Sequence, residues 1–472
     1  MERKVTPEAK DRLRACVGEG RFLDDEQSLV SYSYDATPMY QAIPEAVLFP
    51  VSTEEVSAIM KVAYEYRIPV YTRGAASNLA AGTVPLHGGI VLAMNRMNRI
   101  IELDEENLTL TVQAGVVTKK IHEYVQARGL FYPPDPGSMT VSTIGGNIAQ
   151  CAGGLRGLKY GTTKDYVLGL TAVLANGEVI RTGGKLAKDV AGYDLTRLLV
   201  GSEGTLAIMT EAILKLLPAP VYQRVMLAIF DDMRAAARTV SRIIAARMIP
   251  GTLEFMDQGT IRVVEEFARI GLPTEAKALL VIGQDGHKQV VDEDLAKIRE
   301  ICMQEAIDIQ VAETEEDIDK IMRARRVALS ALARMKPTTI LEDATVPRSQ
   351  LAPMVEKIME ISEKYKVHIC TFGHAGDGNL HPTCMTDARN PEEIERVEKA
   401  FEEIFAYALE LGGTITGEHG VGMAKAPFLE WKVGKAGIDV MKGIKAAFDP
   451  LGLLNPGKLF AGETRKRVVI RQ

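Results

Sequence analysis

The segment Pro69-Val70-Tyr71-Thr72-Arg73-Gly74-Ala75-Ala76-Ser77-Asn78 decides how the first half of the chain is read. Its opening residues have the composition of a short strand, and they run straight into a loop of small residues. Such a loop exposes successive backbone N–H groups and makes a nest for a phosphate. Upstream, residues 46–49 read as another strand. Ser52-Thr53-Glu54-Glu55 reads as a capping box. It opens a helix in which Val56, Ile59, Met60 and Tyr64 recur at helical spacing. Downstream, residues 108–114 read as a strand and 118–128 as a helix. Residues 166–175 and 178–181 form a hairpin across Asn176-Gly177. A last strand over 206–217 ends at Pro218-Ala219-Pro220.

Beyond that break the texture changes. Longer, more charged helices are expected at 231–246, 292–304 and 351–365, with apolar runs at 225–230 and 278–283 between them. Strands and helices mixed in this way define an α+β class. The expected divisions are 1–220, 221–426 and a helix-rich 427–472.

The 472 residues amount to about three units of about 150 each. A hydrophobic fraction of 46% and a charged fraction of 25% are those of an ordinary soluble protein. The formal net charge is −6, so no basic excess exists to neutralise a nucleic-acid backbone. Nucleic acid is excluded as the main partner. Cys16, Cys151, Cys302, Cys370 and Cys384 show no Cys-x-x-Cys spacing, which fits a reducing compartment, the cytoplasm, and excludes a ferredoxin-type cluster. No run approaches the roughly 20 apolar residues of a membrane span, and the N-terminus lacks a signal-peptide core. The basic tail at 464–471 reads as a solvated charged end.

Glycine loops recur along the first half. Pro133-Pro134-Asp135-Pro136-Gly137-Ser138 is a rigid turn leading to Thr143-Ile144-Gly145-Gly146-Asn147, where paired glycines open a helix and admit a ligand closely. Gly153-Gly154-Leu155-Arg156-Gly157 and Gly201-Ser202-Glu203-Gly204-Thr205 follow. Any one alone is an ordinary turn; together they favour a long ligand, a dinucleotide, lying across several loops. A Rossmann Gly-x-Gly-x-x-Gly is absent. Residues 452–459 miss a P-loop at Leu459, where a Ser or Thr would be needed, and are a chance match.

Three of the seven histidines lie in two short motifs, Phe372-Gly373-His374-Ala375-Gly376-Asp377-Gly378-Asn379-Leu380-His381 and Thr416-Gly417-Glu418-His419-Gly420-Val421-Gly422. Glycines keep bulk away, so that imidazoles and a carboxylate can converge on one ion. Two His and one Glu leave an open coordination position, as in a catalytic divalent site. A structural zinc from Cys370, His374, His381 and Cys384 has enough ligands but atypical spacing. Arg323-Ala324-Arg325-Arg326 offers guanidinium forks for a carboxylate, although a basic cluster on a helix is usually a solvated face.

Residues of about 40 to 220 resemble the flavin-binding domain of the vanillyl-alcohol oxidase type of FAD enzymes. The resemblance rests on 69–78, 134–138, 144–147, 153–161, 188–194 and 201–206 in that order. It continues through the C-terminal half toward D-lactate dehydrogenases, glycolate oxidase flavin subunits and D-2-hydroxyglutarate dehydrogenases, and covers nearly the whole chain. It implies an FAD-binding domain, an α+β substrate (cap) domain with an antiparallel sheet, and a C-terminal segment returning to the cofactor through Asn455. Arg73, Gly74, Ala75, Ala76, Ser77 and Asn78 would hold the pyrophosphate. Pro136, Gly137, Ser138, Gly145, Gly146 and Asn147 would lie beside the flavin, Gly153 and Gly154 with them, and Gly204 and Ile208 toward the adenine. The first loop holds no His, so FAD is expected to be non-covalent.

The same resemblance implies that His374, His381 and Glu418 bind one divalent ion (Zn, Fe or Mn), that His419 is the base, and that Arg325 meets the substrate. A 2-hydroxy acid chelates such an ion through hydroxyl and carboxylate. Where the hydroxyglutarate enzymes carry a lysine for a second carboxylate, this chain has Leu341, which favours D-lactate or glycolate. The chain holds no NAD loop and no cluster ligands. An external acceptor is therefore expected: an electron-transfer flavoprotein, an iron–sulfur partner subunit, a quinone or oxygen. The rival readings are a non-catalytic electron-relay subunit and a metal-free oxidase of alcohols or phenols.

Overall fold

Short parallel strands come first because the quoted segment and its neighbours bury both faces. In the computed structural model, which describes residues 5–460, Ala46–Leu48, Ile90–Ala93 and Val70–Arg73 pair in parallel, with Phe22–Leu23 antiparallel at one edge. The helix Thr53–Tyr66 covers this sheet through Val56, Ile59, Met60 and Ala63, which pack with Leu48, Ile90 and Leu92. Its start differs in one respect from the expected box. Ser52 Oγ accepts from Glu55 N, but the Glu55 carboxylate goes to Arg21 and to Val51 N rather than to Ser52 N. A bidentate guanidinium outcompetes one backbone donor.

A second, antiparallel sheet of the same unit runs in the order Ile100–Asp104, Thr109–Gln113, Ile208–Lys215, Val167–Val173, Val179–Gly183. The strand that comes last in sequence is thus central in space. The C-terminal segment rejoins this unit at the parallel bridge Val70↔Leu454, and Asn455 N donates to Val70 O at 2.8 Å.

The other unit is built on an antiparallel sheet of eight strands among the described residues. Its spatial order is Asp308–Val311, Tyr222–Phe230, Ala278–Gly286, Thr252–Asp257, His368–His374, Asn379–Thr386 and Thr338–Leu341, with Ala344–Thr345 also paired to Asn379–Thr386. Helices such as Met233–Ala245 and Leu351–Tyr365 bury one face each against it.

The units divide at places other than those read from the sequence. The first holds residues 5–152, 162–218 and 418–460; the second holds 153–161 and 219–417. The chain returns to the first unit at Glu418, ahead of Pro427. Residues 153–161 fall in the second unit, where Gly157 lies so close to Asp377 that a Cβ would meet its Oδ2 at 2.3 Å and Tyr160 Oη donates to Asp285 Oδ2 at 2.9 Å. The basic tail at 464–471 falls outside the described residues.

Candidate active site

The first unit gathers the glycine loops. Gly74 lies so close to Thr143 that a Cβ would meet its Oγ1 at 2.2 Å. Thr143 caps the helix Ile144–Gln150 by accepting from Gly146 N. Gly145 packs on Ala114, whose Cβ a side chain at 145 would meet at 2.7 Å. Beside these contacts Ala76 is left-handed, with φ of 55°. Among the described residues, no hydrogen bond is donated by the backbone N–H of Ala75, Ala76 or Ser77. Three small residues with open N–H groups form a nest for an anion.

Several side chains expected at the cofactor are occupied by the protein itself. Arg73 donates to Tyr34 O at 2.6 Å and Ser31 O at 3.3 Å, so its guanidinium fixes the loop's flank. Asn147 Nδ2 binds Thr118 Oγ1 at 2.6 Å. Asn455 Nδ2 binds Gly82 O and Glu203 O at 2.9 and 2.7 Å, tying the returning segment to the loops. Ile208 is a core residue packed with Val173. Pro136, Gly137 and Ser138 form a turn closed by Met139 N on Pro136 O, and the backbone of Gly137 is open to approach. Gly204 is left-handed, with φ of 68°, and a Cβ there would just touch Thr72 Cβ at 4.0 Å. Gly153 and Gly154 lie in the second unit, away from this group in the division of the chain. The P-loop lookalike ends in Lys458, which is buried and donates to Val84 O at 2.7 Å. That amine is no phosphate ligand, and burial lowers it to about 7.

In the second unit, strand register brings the histidines together. His368–His374 pairs with Asn379–Thr386 so that Phe372 faces His381 across the ladder. Alternate residues share a face, so Phe372, His374 and His381 point the same way. The two imidazoles lie 5.2 Å apart and nearly perpendicular. The tight turn between the strands needs glycine: Gly378 has φ of 76°, and a Cβ there would meet Val346 O at 2.1 Å. Glu418 follows Gly417 directly, and Gly417 N is fixed on Asp343 Oδ2 at 2.6 Å. One ligand atom each of His374, His381 and Glu418 lies within 4.8 Å of the others. These three fit a divalent ion with positions left open. Cys370 and Cys384 are not part of this group, and none of the five cysteines is in a disulfide. The four-ligand structural zinc is thereby set aside.

Of the three arginines in the basic cluster, only Arg325 is buried, at 6% exposed. It extends from the helix Glu315–Arg326 over the Phe372 ring, its Cζ 4.7 Å from the centroid. Its Nε lies 2.7 Å from Glu254 Oε2, an ion pair without hydrogen-bond alignment, and its Nη2 likewise makes no hydrogen bond within the protein. The other Glu254 oxygen meets His374 Nδ1 at 2.8 Å. Glu254 had escaped notice in the sequence. The available signal was a charged residue inside the apolar strand Thr252–Asp257, every residue of which is buried.

His419 lies one residue beyond Glu418. The loop that carries it is gripped by Glu203, which accepts from Val421 N and Gly422 N at 2.7 Å each. Burial pushes the Glu203 carboxyl up to about 7 despite those donors and the nearby Lys458 and Lys425. Glu203 was read as part of a glycine loop only.

The fold is that of the vanillyl-alcohol oxidase type of FAD-binding proteins. Solved structures with this fold include p-cresol methylhydroxylase, at 19% identity over 97% of this chain and 98% of that one with a TM-score of 0.81. Another is 4-ethylphenol oxidase from Gulosibacter chungangensis, at 19% identity over 98% of each chain and a TM-score of 0.79. Residues 44–183 match the FAD binding domain family and residues 219–459 the FAD linked oxidases, C-terminal domain family. The glycolate oxidase subunit GlcD of Bacillus subtilis is 60% identical, over 98% of this chain and 99% of its own. D-lactate dehydrogenase of Anaerostipes hadrus is 35% identical, over 97% and 98%. The chain belongs to the FAD-linked oxidase family that holds the glycolate oxidase GlcD subunits and these D-lactate dehydrogenases. It is an FAD-dependent oxidoreductase. Among the described residues no helix is long and apolar enough to cross a membrane.

Proposed function

We propose that this chain oxidises a small D-2-hydroxy acid, D-lactate or glycolate, to the 2-oxo acid with the help of one divalent ion. The observation that carries the reading is the convergence of His374, His381 and Glu418 beside the Glu254-held Arg325. The names of the relatives support the substrate class.

In this reading the backbone of Arg73, Gly74, Ala75, Ala76, Ser77 and Asn78 holds the FAD pyrophosphate. Pro136, Gly137, Ser138, Gly145, Gly146, Asn147, Gly204 and Asn455 shape the rest of a non-covalent site, with Ile208, Gly153 and Gly154 in supporting places. Bound FAD supplies a two-electron acceptor for the α-hydrogen and its electron pair, and the ion supplies a Lewis acid that lowers the hydroxyl pKa. Arg325 receives the substrate carboxylate on the N–H groups of Nη2. His374, His381 and Glu418 (Zn, Fe and Mn all suit this donor set) leave positions for a chelating hydroxyl and carboxylate. His419 takes the hydroxyl proton onto its imidazole. The substrate thus loses one proton to His419 and one hydrogen with two electrons.

Electrons then pass to an external protein, an electron-transfer flavoprotein or an iron–sulfur partner subunit. That relatives are called subunits supports such a partner. Five cysteines with no disulfide among them support the cytoplasm as the compartment. Dialysis against a chelator tests the metal: turnover with an artificial acceptor should vanish and return on adding a divalent ion. Full activity in the metal-free protein would refute it.

A further inference from the structure

Glu254 sits 1% exposed in the middle of a sheet, where an isolated carboxylate would carry a heavy desolvation cost. It is placed between exactly two partners of different function. Oε1 lies 2.8 Å from His374 Nδ1, and Oε2 lies 2.7 Å from Arg325 Nε. A carboxylate only accepts, so Nδ1 of His374 carries a proton toward it, and in the neutral ring Nε2 then holds the lone pair. The same carboxylate sits against the Nε edge of the guanidinium as an ion pair, and Nη2 makes no hydrogen bond within the protein.

We infer that Glu254 is a positioning residue that fixes the metal-binding tautomer of His374 and the carboxylate-receiving face of Arg325 together. The inference rests on the metal-assisted 2-hydroxy-acid reading. One group thereby sets the distance between the ion and the anion receptor. A carboxylate behind a metal-bound imidazole also raises its basicity and fixes its ring, and loss of such a partner typically weakens metal binding about 10–100-fold.

The test uses the full-length FAD-loaded protein stripped of metal and titrated with Zn²⁺ against a chromophoric chelator. Glu254→Gln keeps the volume but cannot accept from both partners. It should weaken Zn²⁺ binding at least about tenfold and raise the KM for D-lactate or glycolate, with the flavin content unchanged. Equal Zn²⁺ affinity in Glu254→Gln and wild type would overturn the inference. Absence of Zn²⁺ binding in the wild type would instead overturn the metal reading beneath it. Should the variant not fold, wild type with nitrogen-labelled histidine and bound Cd²⁺ decides. Coupling to cadmium is expected at His374 Nε2 with the proton kept on Nδ1; coupling at Nδ1 would overturn the inference.

Discussion

Glu203 and Val421 are joined by a 2.7 Å hydrogen bond across 218 residues of sequence. The carboxylate takes the N–H of Gly422 as well, so one buried side chain grips the loop following Glu418 and His419, beside the backbone bonds of Met423 N to Ala80 O and Leu459 N to Gly422 O. Glu203→Ala leaves two buried donors without an acceptor, at about 1–3 kcal/mol each. Thermal unfolding of the FAD-loaded variant should fall by about 5 °C or more. kcat should fall at least about tenfold, since His419 loses its support. Unchanged kcat would mean the loop is held elsewhere.

Gly145 has no room for a side chain. A Cβ would press within 2.7 Å of Ala114 Cβ and 2.9 Å of its carbonyl oxygen. Ala114 is buried, and neither its methyl group nor its carbonyl can yield without moving the backbone. Gly145→Ala should therefore lower flavin content several-fold, read as the ratio of flavin to protein absorbance after purification.

Leu341 stands opposite Thr383, two residues from His381 on the same strand. Its side chain therefore lies on the face that carries the histidines. An apolar group there suits a substrate with one carboxylate. Leu341→Lys should shift the ratio of kcat/KM toward 2-hydroxyglutarate over D-lactate by about tenfold. A wild type that prefers 2-hydroxyglutarate would contradict the substrate assignment.

Asp257 caps the helix Gln258–Ala268 from a fully buried place, accepting from Thr260 N and Thr371 N at 2.8 and 2.6 Å. Burial raises its carboxyl from 3.8 to about 6 in the face of those donors. The unfolded chain ionises first, so this group's contribution is greatest below 3.8 and is lost as pH rises through about 6. Across that window wild type should lose about 3 kcal/mol relative to Asp257→Asn, which has no charge to bury. Denaturant unfolding at several pH values measures the difference; a constant gap would show that Asp257 ionises normally.

Much of this was legible in the sequence because it is local. A strand feeding a small-residue loop, a helix opened by paired glycines, and His374 and His381 on one hairpin are each set within a dozen residues. Helical position explains Arg325 as well: it shares the buried side with Ala324, while Arg323 and Arg326 face solvent. Glu254 and Glu203 escaped for the opposite reason. Glu254 meets His374 across 120 residues and Glu203 meets Val421 across 218, and no spacing rule announces such pairs. The unit boundary at Glu418 was equally hidden, since Gly417 before it lies inside the Thr416–Gly422 motif and reads as part of that motif rather than as a break.

Flavin colour gives the most direct test of the central claim. Protein loaded with FAD and a divalent ion is mixed without oxygen with D-lactate or glycolate, and the visible flavin band is followed. The band should bleach, while metal-stripped protein and His419→Asn should keep it with FAD still bound. Wild type that stays yellow with every 2-hydroxy acid would contradict the account.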